Sequence, residues 1–97
     1  MAAYIVAVCE ITNISDELKE YAAKSAEITA KHGGEYIVRG PASEVVEGEL
    51  LMGKSIIITR FPDMEALKAF HHGEEYAAVK HLREGTGTYD IALFEAP

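Results

Sequence analysis

The chain switches repeatedly between two hydrophobic periods. Tyr4-Ile5-Val6-Ala7-Val8-Cys9-Glu10-Ile11 is rich in β-branched residues, and both alternating sets, Tyr4/Val6/Val8 and Ile5/Ala7/Cys9/Ile11, are largely apolar. A strand with one wet face would carry polar residues in one set, so this strand is expected to be covered on both sides. From about Asp16 to His32 the period becomes helical. Leu18, Tyr21, Ala22, Ser25, Ile28 and Thr29 form one stripe, and Glu17, Lys19, Glu20, Lys24, Glu27 and Lys31 occupy the other face. Ser15 or Asp16 can cap this helix, and Gly33-Gly34 stops it because glycine readily takes the positive φ wanted past the last turn. Glu35–Gly40 reads as a second strand ended by Pro41. Ser43–Glu49, with Val45 and Val46, reads as an edge extension or bent continuation of it, and Leu50–Gly53 as a loop. Lys54–Phe61, with three consecutive isoleucines, is a third strand with two apolar faces. Asp63 is a plausible N-cap for a helix packed through Met64, Leu67, Ala69 and Phe70. His71-His72-Gly73 interrupts it, a third helix runs from Glu74 to about Glu84, Gly85-Thr86-Gly87 turns, and Thr88–Glu95 is the last strand.

The order strand–helix–strand–strand–helix–strand predicts an α+β fold of the ferredoxin-like βαββαβ kind, with a four-stranded antiparallel sheet and helices on one face. The crossovers are right-handed by default. With 97 residues the chain makes one domain, spanning 1–97, whose own helices cover one sheet face and leave the other apolar and bare. Monomers rarely expose so large a patch. Face-to-face pairing of two sheets would hide it, so the expected partner is a second copy in a two-fold homodimer.

Composition narrows the partners further. A net charge of −7, with no run of Lys and Arg, gives no electrostatic reason to bind phosphate backbones or an anionic membrane. The N-terminal segment lacks the basic region and apolar length of a signal peptide, and no apolar run approaches the length of a bilayer span. The single cysteine, Cys9, lies in the apolar strand pattern and reads as an inert buried thiol. A cytoplasmic protein is expected.

Several segments resemble the DUF1330 family of domains of unknown function, within the dimeric α+β barrel superfamily. They are Ala3-Tyr4-Ile5-Val6, His32-Gly33-Gly34-Glu35-Tyr36-Ile37-Val38-Arg39-Gly40, Val46-Glu47-Gly48, Phe61-Pro62-Asp63-Met64-Glu65-Ala66, and Tyr76 with Leu82-Arg83. The resemblance covers nearly the whole chain. It implies the same fold, a homodimer formed through the sheets, and no firmly assigned activity. Relatives in the superfamily include cofactor-free monooxygenases, haem-degrading enzymes, isomerases and small-molecule-binding proteins. The chain departs from the family at one place. The family usually has Trp where Phe70 stands, Ser-Pro where Gly73-Glu74 stands, and other aromatic and polar residues in place of His71-His72.

Residues able to carry chemistry each have a plain structural alternative. His32 is the first proton-transfer candidate, since imidazole titrates near neutral pH, but it also suits the negative end of a helix dipole. Arg39 could hold a carboxylate in a bidentate way or pair with Glu47 or Glu49. Arg83 could do the same or lie its stem along an apolar surface. Tyr36 and Tyr76 could orient a ligand through their hydroxyls or serve as core tyrosines with one hydrogen bond. Glu10 could be a base in a cleft or a solvated strand end. His71, His72 and His81 lack metal-ligand spacing, because adjacent helical residues point about 100° apart, and no metal is expected. Gly85-Thr86-Gly87 lacks dinucleotide-loop spacing, and no cofactor is expected. Two functional readings follow. One is a cofactor-free enzyme acting on a small organic acid or polyketide-like compound in a pocket between sheet and helices. The other is a non-catalytic small-molecule-binding or interaction module. A sheet–helix space filled with side chains would favour the second.

Overall fold

A computed structural model describes residues 1–97. The elements are β1 (Ala2–Ile11), α1 (Asp16–Lys31), β2 (Glu35–Pro41), β3 (Ser55–Phe61), α2 (Met64–His71), α3 (Glu74–Lys80) and β4 (Gly87–Ala96), with a 3-10 turn at His81–Arg83. The strands form one antiparallel sheet in the order β2-β3-β1-β4, the ferredoxin-like arrangement expected from the pattern. No helix is long and apolar enough to cross a membrane.

Local chemistry fixes the helix starts. The Ser15 hydroxyl accepts the Leu18 amide at 3.0 Å, so Ser15 and not Asp16 caps α1. The Asp63 carboxylate accepts the Ala66 amide at 2.8 Å and caps α2. Gly34 follows α1 where a Cβ would stand 2.5 Å from the Thr29 methyl and 2.8 Å from the Phe61 ring, so only glycine fits without displacement.

The two sets of β1 residues part as their pattern requires. Ala3, Ile5, Ala7 and Cys9 are buried beneath the helices. Tyr4, Val6 and Val8 lie on the other face with Ile56, Ile58, Val38 and Phe94, to which the strand register joins them. This second face is open in the single protomer, and Phe94 is 52% exposed. The packed core lies under α2 and α3: Ala3, Ile5, Phe61, Leu67, Phe70, Tyr76 and Val79. By contrast, α1 meets chiefly α3 and the 3-10 turn, and its two buried residues are the small polar Ser25 and Thr29.

Two boundaries differ from expectation. Ser43–Glu49 is irregular and exposed instead of extending the edge strand. Pro41 has no amide to continue the ladder, and the chain turns at Gly48, where φ is +77°. The third helix stops at Lys80 instead of about Glu84, tightening into the 3-10 turn. There the chain dives to bury Thr86, whose hydroxyl donates to the Arg83 carbonyl and whose own carbonyl accepts the Thr12 and Asn13 amides at 2.8 and 3.1 Å. That tightening swings Arg83 over the rings of Tyr89 and Tyr21.

Candidate functional site

The space between α1 and the sheet is a cavity of about 390 Å³, within the range of small-molecule sites. Its floor is the helix-facing side of β1 and β3, including Ala7, Cys9, Ile57 and Thr59, and its roof is α1 from Leu18 to Thr29. One end reaches Phe70, His71 and Tyr76 beside the packed core. The other end opens among exposed residues, Ile11, Ile14, Lys19 and Arg39. The cavity exists because both walls carry short side chains, Ala7 and Cys9 below and Ala22 and Ser25 above.

A β-bulge shapes the mouth. Tyr36 pairs with Thr59, but Val38 pairs with Ile58, so Ile37 is the extra residue. Without the bulge, Tyr36 and Arg39 would face opposite sides of the sheet, since they are three apart. With it, Arg39 comes opposite Ile57, and both line the cavity. The Arg39 guanidinium lies 4.6 Å from the Tyr36 ring centroid, a cation–π contact. It makes no ion pair, with Glu47, Glu49 or any other carboxylate.

The inner end holds a second unpartnered group. Both ring nitrogens of His71 are buried and without a hydrogen bond. The ring packs against Tyr76 at 5.2 Å between centroids. Burial foremost, and then the positive charges of His72, Lys80 and Arg83, push its pKa below the ordinary imidazole value, which favours the neutral ring with one free acceptor nitrogen. The ring borders the cavity, and a turn of it would present such a nitrogen as a proton acceptor or a partner for a ligand hydroxyl. The Tyr76 hydroxyl is 2.6 Å from that of Tyr21 and bridges α3 to α1. Burial and this hydrogen bond raise the Tyr21 pKa far above the ordinary phenol value, so its hydroxyl stays protonated. The buried Cys9 thiol is likewise raised by desolvation and stays uncharged.

Charge is distributed unevenly. The chain has 16 acidic and 9 basic residues, yet no aspartate or glutamate lines the cavity, while Lys19 and Arg39 do. Arg83 lies just behind the wall. Its guanidinium sits 4.7 Å from the Tyr89 ring and 5.8 Å from the Tyr21 ring, and it too has no carboxylate partner.

Of the residues singled out in the sequence, Tyr36, Arg39 and Tyr76 line the cavity, and Arg83 backs two of its tyrosines. His32 lies outside it. Its amide closes the end of α1, and its Nε2 stands 3.4 Å from a Glu75 oxygen whose partner oxygen takes Lys31 at 2.8 Å. Glu10 is exposed, 3.7 Å from Lys54. His71 does not stand out as a site residue in the sequence. The signal available was its helical spacing, four residues after Leu67 and seven after Met64 on the packing side of α2.

Known proteins share this fold. The RPA0582 protein of unknown function from Rhodopseudomonas palustris is similar with a TM-score of 0.74 at 11% identity, covering 99% of this chain and 82% of that one. A dimeric ferredoxin-like protein of unknown function from Jannaschia sp. CCS1 gives 0.72 at 14% identity, covering 99% and 100%. SnoaB, a cofactor-independent oxygenase from Streptomyces nogalater, gives 0.68 at 14% identity, covering 99% and 93%. At these identities the likeness is one of fold. No curated protein matches the chain. The family model for the domain of unknown function DUF1330 matches residues 2–97, and the chain belongs to that family.

Proposed function

We propose that the cavity binds a small, mostly apolar organic acid and that the protein acts on it without a cofactor, by removing a proton. The observation that supports this best is the charge of the lining: in an acidic chain, an apolar cavity free of carboxylates has an unpaired arginine at its mouth. An unpaired guanidinium there is a ready partner for a carboxylate, in a bidentate pair. His71 is the proposed proton acceptor. A substrate C–H or O–H bond breaks, an N–H bond forms on the ring, and the substrate keeps the electron pair as an enolate or phenolate. Arg83, from behind the wall, would lower the energy of that charge. Tyr36 and Tyr76 would shape the two ends of the site. The fold shared with a cofactor-independent oxygenase is compatible with such chemistry.

The open sheet face supports a second element of the reading, a homodimer. Tyr4, Val6, Val8, Ile56 and Ile58 would be hidden by the same face of another copy, as in a face-to-face sheet packing.

The test uses enolisable small carboxylic acids in D2O, with proton exchange followed by NMR. Exchange should be accelerated by the protein, lost in His71→Asn and retained in His32→Asn. Exchange lost in His32→Asn and kept in His71→Asn would return the proton-transfer role to His32. No stabilisation of the protein by any carboxylate, together with no exchange, would leave the non-catalytic interaction module as the reading.

A further inference from the structure

Resting on the acid-binding reading, we infer that the ligand is an aromatic hydroxy acid up to about two fused rings long, with its carboxylate at Arg39 and its hydroxyl at His71. Three features converge on that class. The first is the pair of unpartnered groups at opposite ends of one cavity. Arg39 has no ion pair at the mouth, and both His71 nitrogens are buried without a hydrogen bond at the inner end. A ligand with an acid alone would satisfy Arg39 and leave the buried imidazole unpaired, a costly arrangement. A hydroxyl donating to the acceptor nitrogen, presented by a turn of the ring, would satisfy one of the two nitrogens.

The second is the spacing. Arg39 stands opposite Ile57 on β3, and the Phe70 ring next to His71 packs at 5.4 Å on Phe61, four residues further along the same strand. Four residues of strand span about 13 Å. With both side chains reaching inward, the carboxylate and hydroxyl of a bridging ligand would be roughly 10 Å apart or less. An aromatic ligand of up to two fused rings falls within that bound.

The third is the wall. Rings of Tyr21, Tyr36, Tyr76, Tyr89 and Phe70 border a slot between a sheet and a helix whose remaining lining, apart from Lys19, Arg39 and His71, is small or aliphatic. A flat ligand fills such a slot with edge-to-face and offset contacts that a flexible chain does not make. A rigid bicycle also loses less conformational freedom on binding than an alkyl chain of equal length.

The test compares four probes by fluorescence or calorimetric titration of the full-length protein: 6-hydroxy-2-naphthoate, 2-naphthoate, 2-naphthol and decanoate. 6-Hydroxy-2-naphthoate should bind at least tenfold tighter than each of the others. Arg39→Gln should weaken both naphthoates at least tenfold and leave 2-naphthol unchanged. His71→Phe should weaken both hydroxy compounds and leave 2-naphthoate unchanged, which also shows that the variant is folded. If 2-naphthoate or decanoate matches or exceeds 6-hydroxy-2-naphthoate, the two-headed aromatic ligand is wrong while acid binding stands. If the carboxylates bind but His71→Phe affects all probes alike, the hydroxyl contact is wrong. If no carboxylate binds, the acid-binding reading itself fails.

Discussion

The Tyr21–Tyr76 hydroxyl pair is a sensitive test of how α1 is held above the sheet. Two phenol oxygens 2.6 Å apart share one hydrogen bond, and Tyr76 is only 3% exposed. Replacing Tyr21 by Phe keeps the ring but leaves the deeply buried Tyr76 hydroxyl unpaired, at a cost of about 2 kcal/mol. Replacing Tyr76 by Phe strands the Tyr21 hydroxyl, which lines the cavity and can turn to water there, so the cost is nearer about 1 kcal/mol. The double variant has no stranded hydroxyl. It loses only the net worth of one hydrogen bond, about 1 kcal/mol, against about 3 kcal/mol for the sum of the single changes. Urea unfolding of the four proteins measures this coupling, at one fixed protomer concentration because association would make stability concentration-dependent. Each kcal/mol corresponds to roughly 4–8 °C in Tm for a domain of this size. A double variant whose loss equals the sum of the two single losses would show that the hydroxyls do not depend on each other, and the clasp between α1 and α3 would be refuted.

The remaining predictions concern charge, packing and association. His71 has a folded pKa below its ordinary 6.5, so in the pH range between the two values the unfolded chain binds more protons and stability rises with pH. Stability should therefore decline as the pH falls from 7 to 5, and His71→Phe should flatten that decline; an unchanged slope in chemical denaturation would count against the buried neutral ring. Gly34→Ala places a methyl against Thr29 and Phe61 and should cost about 1–3 kcal/mol by the same denaturation assay, with part recovered when Thr29→Ser removes the opposing methyl. Val6→Lys puts a charge at the centre of the open sheet face and should convert a dimer to a single protomer in sedimentation. A wild type that already sediments as one protomer at micromolar concentration would remove the proposed interface. Ala7→Leu extends into the cavity from its floor. It should raise Tm by roughly 4–8 °C, from about 2 kcal/mol of methylene burial less about 1 kcal/mol of side-chain entropy. The same change should abolish binding of 6-hydroxy-2-naphthoate in the fluorescence titration.

The fold was readable because its signals are local and consistent. Two apolar sets in one strand, Ser15 and Asp63 ahead of helical periods, and glycine after α1 each point to one element, and together they admit few topologies. Binding of Tyr36 and Arg39 to a common face was not readable. In a regular strand residues three apart diverge, and nothing about Ile37 marks it as the extra residue of a bulge. His71 is easily passed over because it stands beside His72 at the break between two helices, although helical spacing from Met64 and Leu67 puts it on the packing side of α2. His32 drew notice through its residue type and its glycine neighbours, but it meets Glu75 and packs edge-on against Phe70, outside the lining of the cavity. Residue chemistry thus suggests the kinds of group, while the common face of Tyr36 and Arg39 depends on a bulge that has no sequence period.

The cavity and the bare sheet face are two consequences of one economy in side-chain size. Protein interiors close up around voids, because unfilled space forfeits contacts on every side. Here the space under α1 is kept by short residues on both walls, and α1 is tied instead to α3, through the tyrosine pair and through Lys31 with Glu75. Those ties replace the burial that α1 would otherwise obtain from the sheet. The exposed Lys31–Glu75 pair adds little, so most of the holding falls to the tyrosines and to the core under α2 and α3. Stability forgone over the cavity must then come from elsewhere in a chain of this size, and the apolar outer face of the sheet is the largest reserve left. Pairing that face with a second copy would stiffen the very strands that floor the cavity. Association and ligand binding are therefore expected to support each other although they use opposite sides of the sheet.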